Sequence, residues 1–420
     1  MAYNRKQRLN DNIKAIETAF ILDREQRTPT ARERLLLERY CGFGGLKCIL
    51  NPARELADAV HWAKSDLELF APTVELHRLI RENSKNESEY KQLMDSLKQS
   101  VLTAFYTPSA VTEALTDVLK EHQVIPEKVL EPSAGIGAFV DSVLDNNPKA
   151  DIMAFEKDLL TGKILRHLHP EQKVRIEGFE KIEKPFNDYF DLAISNIPFG
   201  DVAVFDPSYT AMKGMRALVT RRIHNYFFVK ALDTVRDGGL VAFITSQGVL
   251  NAKNNSAARF MMLYHADLVS AIRLPNNLFT ENANTEVGSD LIILQKNTQK
   301  ESLRGDDNLL DTVYNDENRI PTNNYFLEHP ERIIHTTAKL DTDPFGKPAM
   351  IYTHEDGVEG IAEDLRKMLH EDFKKNLNLN RYLGIEETKA EEVKEVEETE
   401  KIEKTEKIKP SIEEKQNDTV

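Results

Sequence analysis

Seven short segments between residues 128 and 296 are apolar almost throughout: KVLEP (128–132), DIMAFE (151–156), KVRIE (173–177), FDLAISN (190–196), GLVAFIT (239–245), DLVSAIRLP (267–275) and SDLIILQK (289–296). A strand with one wet face alternates apolar and polar residues, whereas an unbroken apolar run belongs to a strand covered on both faces. Helical patterns such as SAVTEALTDVLKEH and NYFFVKALDTVRDG accompany these runs. Strands and helices in this alternation predict an α/β fold, a doubly wound, mostly parallel Rossmann-like sheet.

The flanks differ in character. Residues 1–98 read as a helical N-terminal domain. Leu9, Ile13, Ile16, Ala19 and Phe20 recur at three- and four-residue steps, and Thr30 to Glu33 forms a capping box ahead of LLLERY, with Gly42 expected to stop that helix. Residues 99–298 form the sheet domain. Pro321, Pro330, Pro344 and Pro348 break up residues 299–385, a mixed region expected to be a small recognition or packing module. Residues 386–420 carry thirteen acidic and seven basic residues and little to bury, so this charged tail reads as disordered or a solvated helix.

The formal net charge of −14 argues against a strong non-specific grip on a polyanion, so a nucleic-acid contact has to be local or supplied by a partner. No run reaches the roughly 18 apolar residues of a membrane span. The start, MAYNRKQRLNDNIK, lacks the apolar centre of a secretory signal, so a cytoplasmic location is expected. Cys41 and Cys48 have no metal-site spacing and read as reduced thiols. His167 and His169 in RHLHP lack a third ligand nearby and read as surface residues; no metal is expected.

Two turns carry chemistry. KVLEP runs into SAGIGAF, a glycine-rich turn that lets backbone approach a ligand beside a helix N-terminus. The dinucleotide fingerprint is incomplete, because Gly135 and Gly137 lack the third glycine. Glu131 before the turn suits a cationic ligand, and Glu156 at the end of the next strand suits ribose hydroxyls, so the pair fits a positively charged nucleoside better than a phosphorylated one. The second turn is AISNIPFGD (193–201), where an apolar strand delivers an amide, a carbonyl restricted by a following proline, and an aromatic ring.

Taken in order, FYTP, LEPSAGIGAF, AFE and SNIPF resemble an S-adenosylmethionine-dependent adenine-N6 DNA methyltransferase of the gamma class, over roughly residues 100–298. The upstream YCGFGG resembles the front of methylase-like proteins of phages and conjugative elements, some fused to a helicase. The resemblance implies S-adenosyl-L-methionine as cofactor. Tyr106, Thr107 and Pro108 would close over its methionine end, which Glu131, Ser133, Ala134, Gly135 and Gly137 would line. Glu156 would hold the ribose and Phe179 would flank the adenine ring. Asn196 and the Ile197 carbonyl would accept the two N–H bonds of the target amine, Pro198 would aim that carbonyl, and Phe199 would stack on the base. The family usually has an acidic residue just before that Phe, where this chain has Gly178; Glu177 and Glu180 are the candidates to replace it. The implied substrate is adenine in DNA, flipped from a duplex or in a single strand, in a restriction-modification setting with a helicase or restriction partner. Two alternatives stand beside it: an amino methyltransferase acting on RNA or protein glutamine, and a catalytically weak cofactor-binding subunit.

Overall fold

The computed structural model describes residues 4–103, 106–212, 214–280, 286–303, 307–314, 320–343 and 346–385. The acidic tail expected over 386–420 lies outside them. The seven apolar runs form one sheet: β1 (Lys128–Glu131), β2 (Asp151–Phe155), β3 (Lys173–Arg175), β4 (Phe190–Asn196), β5 (Val235–Ser246), β6 (Ala266–Leu274) and β7 (Ser289–Lys296). Their order is β3-β2-β1-β4-β5-β7-β6. β1 to β5 are parallel, and β7 runs antiparallel to both β5 and β6. All eight residues of β7 are buried, the polar Ser289, Asp290, Gln295 and Lys296 at its ends among them.

The chain winds outward from β1 through β2 to β3, then crosses to start β4 on the other side of β1. The carboxyl ends of β1 and β4 therefore diverge into different loops at a switch point, where open α/β sheets bind ligands. Leu130 pairs with Ala193, so β4 runs three residues past that level, placing Asn196 about 10 Å further along the strand direction.

One apolar cluster packs α8 (Ile223–Thr234) and α9 (Ser256–His265) against the sheet through Phe228, Phe243, Met262 and Ile292. A second joins the N-terminal helices to the sheet domain. α1 (Arg5–Glu25) and α2 (Ala31–Leu37) pack with α7 (Leu159–Leu168), and Leu9, Ile13, Ile16, Ala19 and Phe20 are all buried there with Leu160 and Ile164. The capping box at Thr30 forms, but α2 ends at Leu37 rather than at Gly42, because Tyr40 and Phe43 turn inward to become core residues. Asp23 receives Lys163, Arg166 and His167, a further tie from α1 to α7. Residues 378–385 belong to a separate unit: a short helix, Leu379–Leu383, begun by the Asn378 side chain and ended by Gly384 at φ 68°.

Arg273 of β6 and Asp290 of β7 form a buried pair at 2.9 Å, with side chains 3% and 0% exposed. Arg273 also donates to Asn251 Oδ1 and lies over the Phe326 ring. Removing one partner strands a buried charge, so Asp290→Asn is expected to cost about 3–5 kcal/mol in urea unfolding of the full chain. A loss below about 1 kcal/mol would mean the pair is dispensable.

Candidate active site

Glu131 closes β1 with its side chain fully buried. The Ser133 amide reaches Oε1 at 3.4 Å, while Oε2 has no hydrogen-bond partner. Burial pushes this carboxyl up to about 8; the Ser195 hydroxyl and the Ser133 amide oppose the shift, and the neighbouring Glu156 charge adds to it.

Glu156, just past β2, is spent on backbone. Its Oε2 accepts from the Gly135 amide at 2.8 Å and its Oε1 from the Asp158 amide at 2.7 Å. Burial, with Asp158 nearby, lifts it to about 8 as well. The Ala134 amide donates to the Phe155 carbonyl at 2.9 Å, so the glycine turn is fastened to β2 at two points. Gly135 has φ 57°, and a Cβ there would stand 2.8 Å from a ring carbon of Tyr106. Only glycine admits both the left-handed backbone and this close approach.

Tyr106 thus lies over the turn, and its hydroxyl is 3.5 Å from Thr161 Oγ1, which the buried Tyr40 hydroxyl meets at 3.3 Å from the other side. Thr107 is buried with Oγ1 unpartnered, and Pro108 caps α5 (Ser109–Glu121). Phe179 is buried against Phe155 and Phe227, with ring centroids 5.9 and 5.3 Å away. A Cβ on Gly178 would overlap the Glu180 carboxylate, which folds back over that position, whereas Glu177 is engaged by Arg175 at 2.6 Å. Glu180 is paired as well, with Lys157 Nζ 3.6 Å from its Oε1.

On the adjacent strand, Asn196 ends β4 opposite Ile244 of β5. The Ile197 amide continues the ladder to the Ile244 carbonyl at 3.0 Å, burying Ile197. Pro198 and Phe199 are half-buried, and Phe279 meets the Phe199 ring edge-to-face at 6.2 Å. The loop is therefore anchored on its first side and braced from behind on its last.

The histidines differ from the sequence expectation of surface residues. His169 is buried against Gly137, and burial beside Arg34 pushes it down to about 4, so it is neutral; His167 pairs with Asp23. Neither joins a metal cluster, and among the described residues no group of three His, Cys, Asp or Glu could hold a metal. Sequence reasoning also missed Tyr40, Thr161 and Ser195. Tyr40 and Thr161 stand 121 residues apart, and nothing local to either one marks the contact.

The site thus sets the buried Glu131 carboxyl, the half-buried Glu156 whose charge disfavours its ionisation, and the unpartnered Thr107 hydroxyl beside an amide–proline–aromatic loop. The donor set fits a cationic nucleoside: a positive charge would relieve Glu131, and unmet polar atoms line its approach.

The sequence profile of the family described as N-6 DNA Methylase matches residues 88–391. "Defense against restriction protein B" of Escherichia phage P1 is 29% identical over 201 residues, 46% of this chain and 8% of that protein. "Type II methyltransferase M.XamI" of Xanthomonas campestris pv. amaranthicola is 25% identical over 173 residues, 38% of this chain and 33% of that protein. The chain therefore spans at most a third of the length of these relatives. Among solved structures, the type I restriction-modification system methyltransferase subunit from Streptococcus thermophilus aligns at TM-score 0.39 and 13% identity, covering 70% of this chain and 80% of that one.

Proposed function

The chain belongs to the N-6 DNA methylase family, and from that premise we propose that it transfers a methyl group from S-adenosyl-L-methionine to the N6 amine of adenine in DNA. The observation that carries this reading is the pairing of Glu131, a buried carboxyl whose Oε2 has no partner, with the Asn196–Phe199 loop on the next strand of the sheet.

When bound, the cofactor supplies an electrophilic methyl on a positively charged sulfur. Glu131 and Thr107 would meet its methionine end, with Tyr106 covering it and Pro108 starting the helix behind. Glu156 orders the glycine turn through Gly135 and keeps spare lone pairs for ribose hydroxyls. Phe179 would support the adenine ring, and Glu180 would accept from its amino group. Asn196 and the Ile197 carbonyl would accept the target amine's N–H bonds, drawing the nitrogen out of conjugation with the ring. Acceptors held in place before the reaction act as preorganised electrostatics. Pro198 keeps Ile197 extended, and Phe199 offers a stacking face for a base taken out of the helix.

A cytoplasmic setting with a helicase or restriction partner is part of the same proposal; one relative is named as a defence against restriction protein. The test uses the purified full chain, labelled cofactor and genomic DNA, with nucleosides analysed by mass spectrometry. Labelled N6-methyladenine in DNA is expected. Label in RNA or in protein glutamine, with none in DNA, would overturn the assignment of acceptor.

Glu180 and Glu177 give a sharper check. Glu180→Ala is expected to weaken cofactor binding about tenfold by calorimetry, the size of one lost hydrogen bond to a charged group. Glu177→Ala should leave it unchanged. The reverse ranking would move the adenine contact to Glu177.

A further inference from the structure

The segment directly after the catalytic loop exposes what a folded chain ordinarily hides. Phe205 is 78% exposed and Val202 is 61% exposed. Scattered exposed apolar residues need no explanation, but a phenylalanine held out on a fixed mount does.

The mount is built on three sides. Asp201 Oδ1 lies 2.7 Å from Arg222 Nε, closing residues 201–222 into a loop. The Val204 amide donates to the Thr220 carbonyl at 2.8 Å. Asp206, the residue after Phe205, is buried and accepts from the Tyr226 hydroxyl at 2.7 Å, from Lys230 at 3.3 Å and from the Ser208 amide at 2.8 Å. The backbone on either side of Phe205 is thus fixed while its ring is left in solvent. It follows Phe199 by six positions, so the two lie within roughly 20 Å.

The same corner is cationic in a chain of net charge −14. Arg221 is exposed and Lys253 is exposed, and neither side chain has an ionic or hydrogen-bond partner among the described residues. Arg222 joins their two loops by donating to Asn254 and Asn255. Lys253 follows the helix Gly248–Asn251 that leaves the carboxyl end of β5, the strand beside the one bearing Asn196.

Resting on the methyltransferase reading, we propose that Phe205, with Val202 three residues before it, is a wedge that enters a DNA duplex beside the target adenine, while Arg221 and Lys253 hold the flanking phosphates. Apolar side chains pushed between base steps offset the loss of stacking when a duplex is opened, and phosphate contacts fix the register in which they enter. A rigid mount suits this task, because a mobile ring would be ordered only at further entropic cost.

The experiment uses the full chain and two duplexes carrying an adenine that the wild-type protein methylates. In one the adenine is paired with thymine; in the other it faces an abasic site and is already loosened. Phe205→Ala is expected to lower the methylation rate on the paired duplex at least tenfold and to change the abasic one less than threefold, with cofactor affinity unaltered. Phe205→Leu should restore much of the paired rate. Arg221→Ala with Lys253→Ala should reduce the salt dependence of DNA binding by about two phosphate contacts. An equal loss on both duplexes, or no loss on either, overturns the wedge, and the second result leaves the apolar surface to a protein partner. A wild-type chain that binds cofactor and methylates neither duplex overturns the parent reading instead.

Discussion

Replacing Asn196 by alanine is expected to lower methyl transfer by at least roughly 10²–10³-fold while leaving cofactor affinity within twofold. The magnitude is that of removing one preorganised polar group from a site where charge develops in the transition state. The separation of the two readouts follows from the sheet. Asn196 sits on β4 about 10 Å beyond the level of Leu130, whereas the groups proposed to meet the cofactor lie ahead of α5, at the end of β1 and in the turn before α6 (Ala138–Asn146), just past β2, and after β3. The Ile197 amide remains bonded to Ile244, so the loop is expected to keep its path in the variant. Single-turnover rates with labelled cofactor, beside calorimetric binding, give the comparison. Full activity in the variant would remove the amide from the mechanism.

Glu131→Gln is expected to do the opposite: to weaken cofactor binding by about 1.5–3 kcal/mol, roughly 10- to 150-fold, while making the ligand-free protein more stable at alkaline pH. The sign follows from the raised value. In the fold Glu131 holds its proton up to about 8, above the ordinary glutamate range. Protonated, it favours the folded state, and that contribution is present below the ordinary range and lost as pH climbs through about 8. Glutamine cannot ionise, so the melting temperature of the variant should exceed that of the wild type at pH 9 and converge with it near pH 5. Glu156 rises to a similar value and remains in the variant, so the convergence concerns the difference between the proteins and not the slope of either. Cofactor affinity of the wild type should climb with pH towards 8, because a cation binds the ionised carboxyl. A variant that binds as tightly as the wild type, with the same pH profile, would place the positive charge elsewhere.

Most strands were legible because their runs are apolar on both faces and the structure covers both; β3, at the sheet edge, is exposed to half-buried. FDLAISN and SDLIILQK coincide with β4 and β7 to the residue. The direction of β7 was not legible, since periodicity records burial and not polarity. The end of α2 was misjudged because a glycine is a strong stop signal, whereas the pull of Tyr40 and Phe43 into the core depends on residues far along the chain. At the site, the segments themselves were readable, as was the oddity of Gly178. That the Glu180 carboxylate folds back over Gly178 depends on a side-chain path that needed coordinates. His169 misled for a related reason: the cavity it fills is made by Gly137, thirty-two positions earlier, and no local pattern announces it.

The placement of β7 bears on how this protein is made. The ribosome releases β5 and β6 before the strand that must lie between them. Until residues 289–296 emerge, β6 lacks its ladder partner and β5 presents an open, apolar edge, the kind of surface that invites pairing with another nascent chain. Assembly of this half of the sheet is thus held back to the last strand, which also brings Asp290 to the waiting Arg273. A pause or truncation just before residue 289 would leave the most aggregation-prone intermediate in the synthesis of the chain, and full-length yield should depend on translation running smoothly through that point.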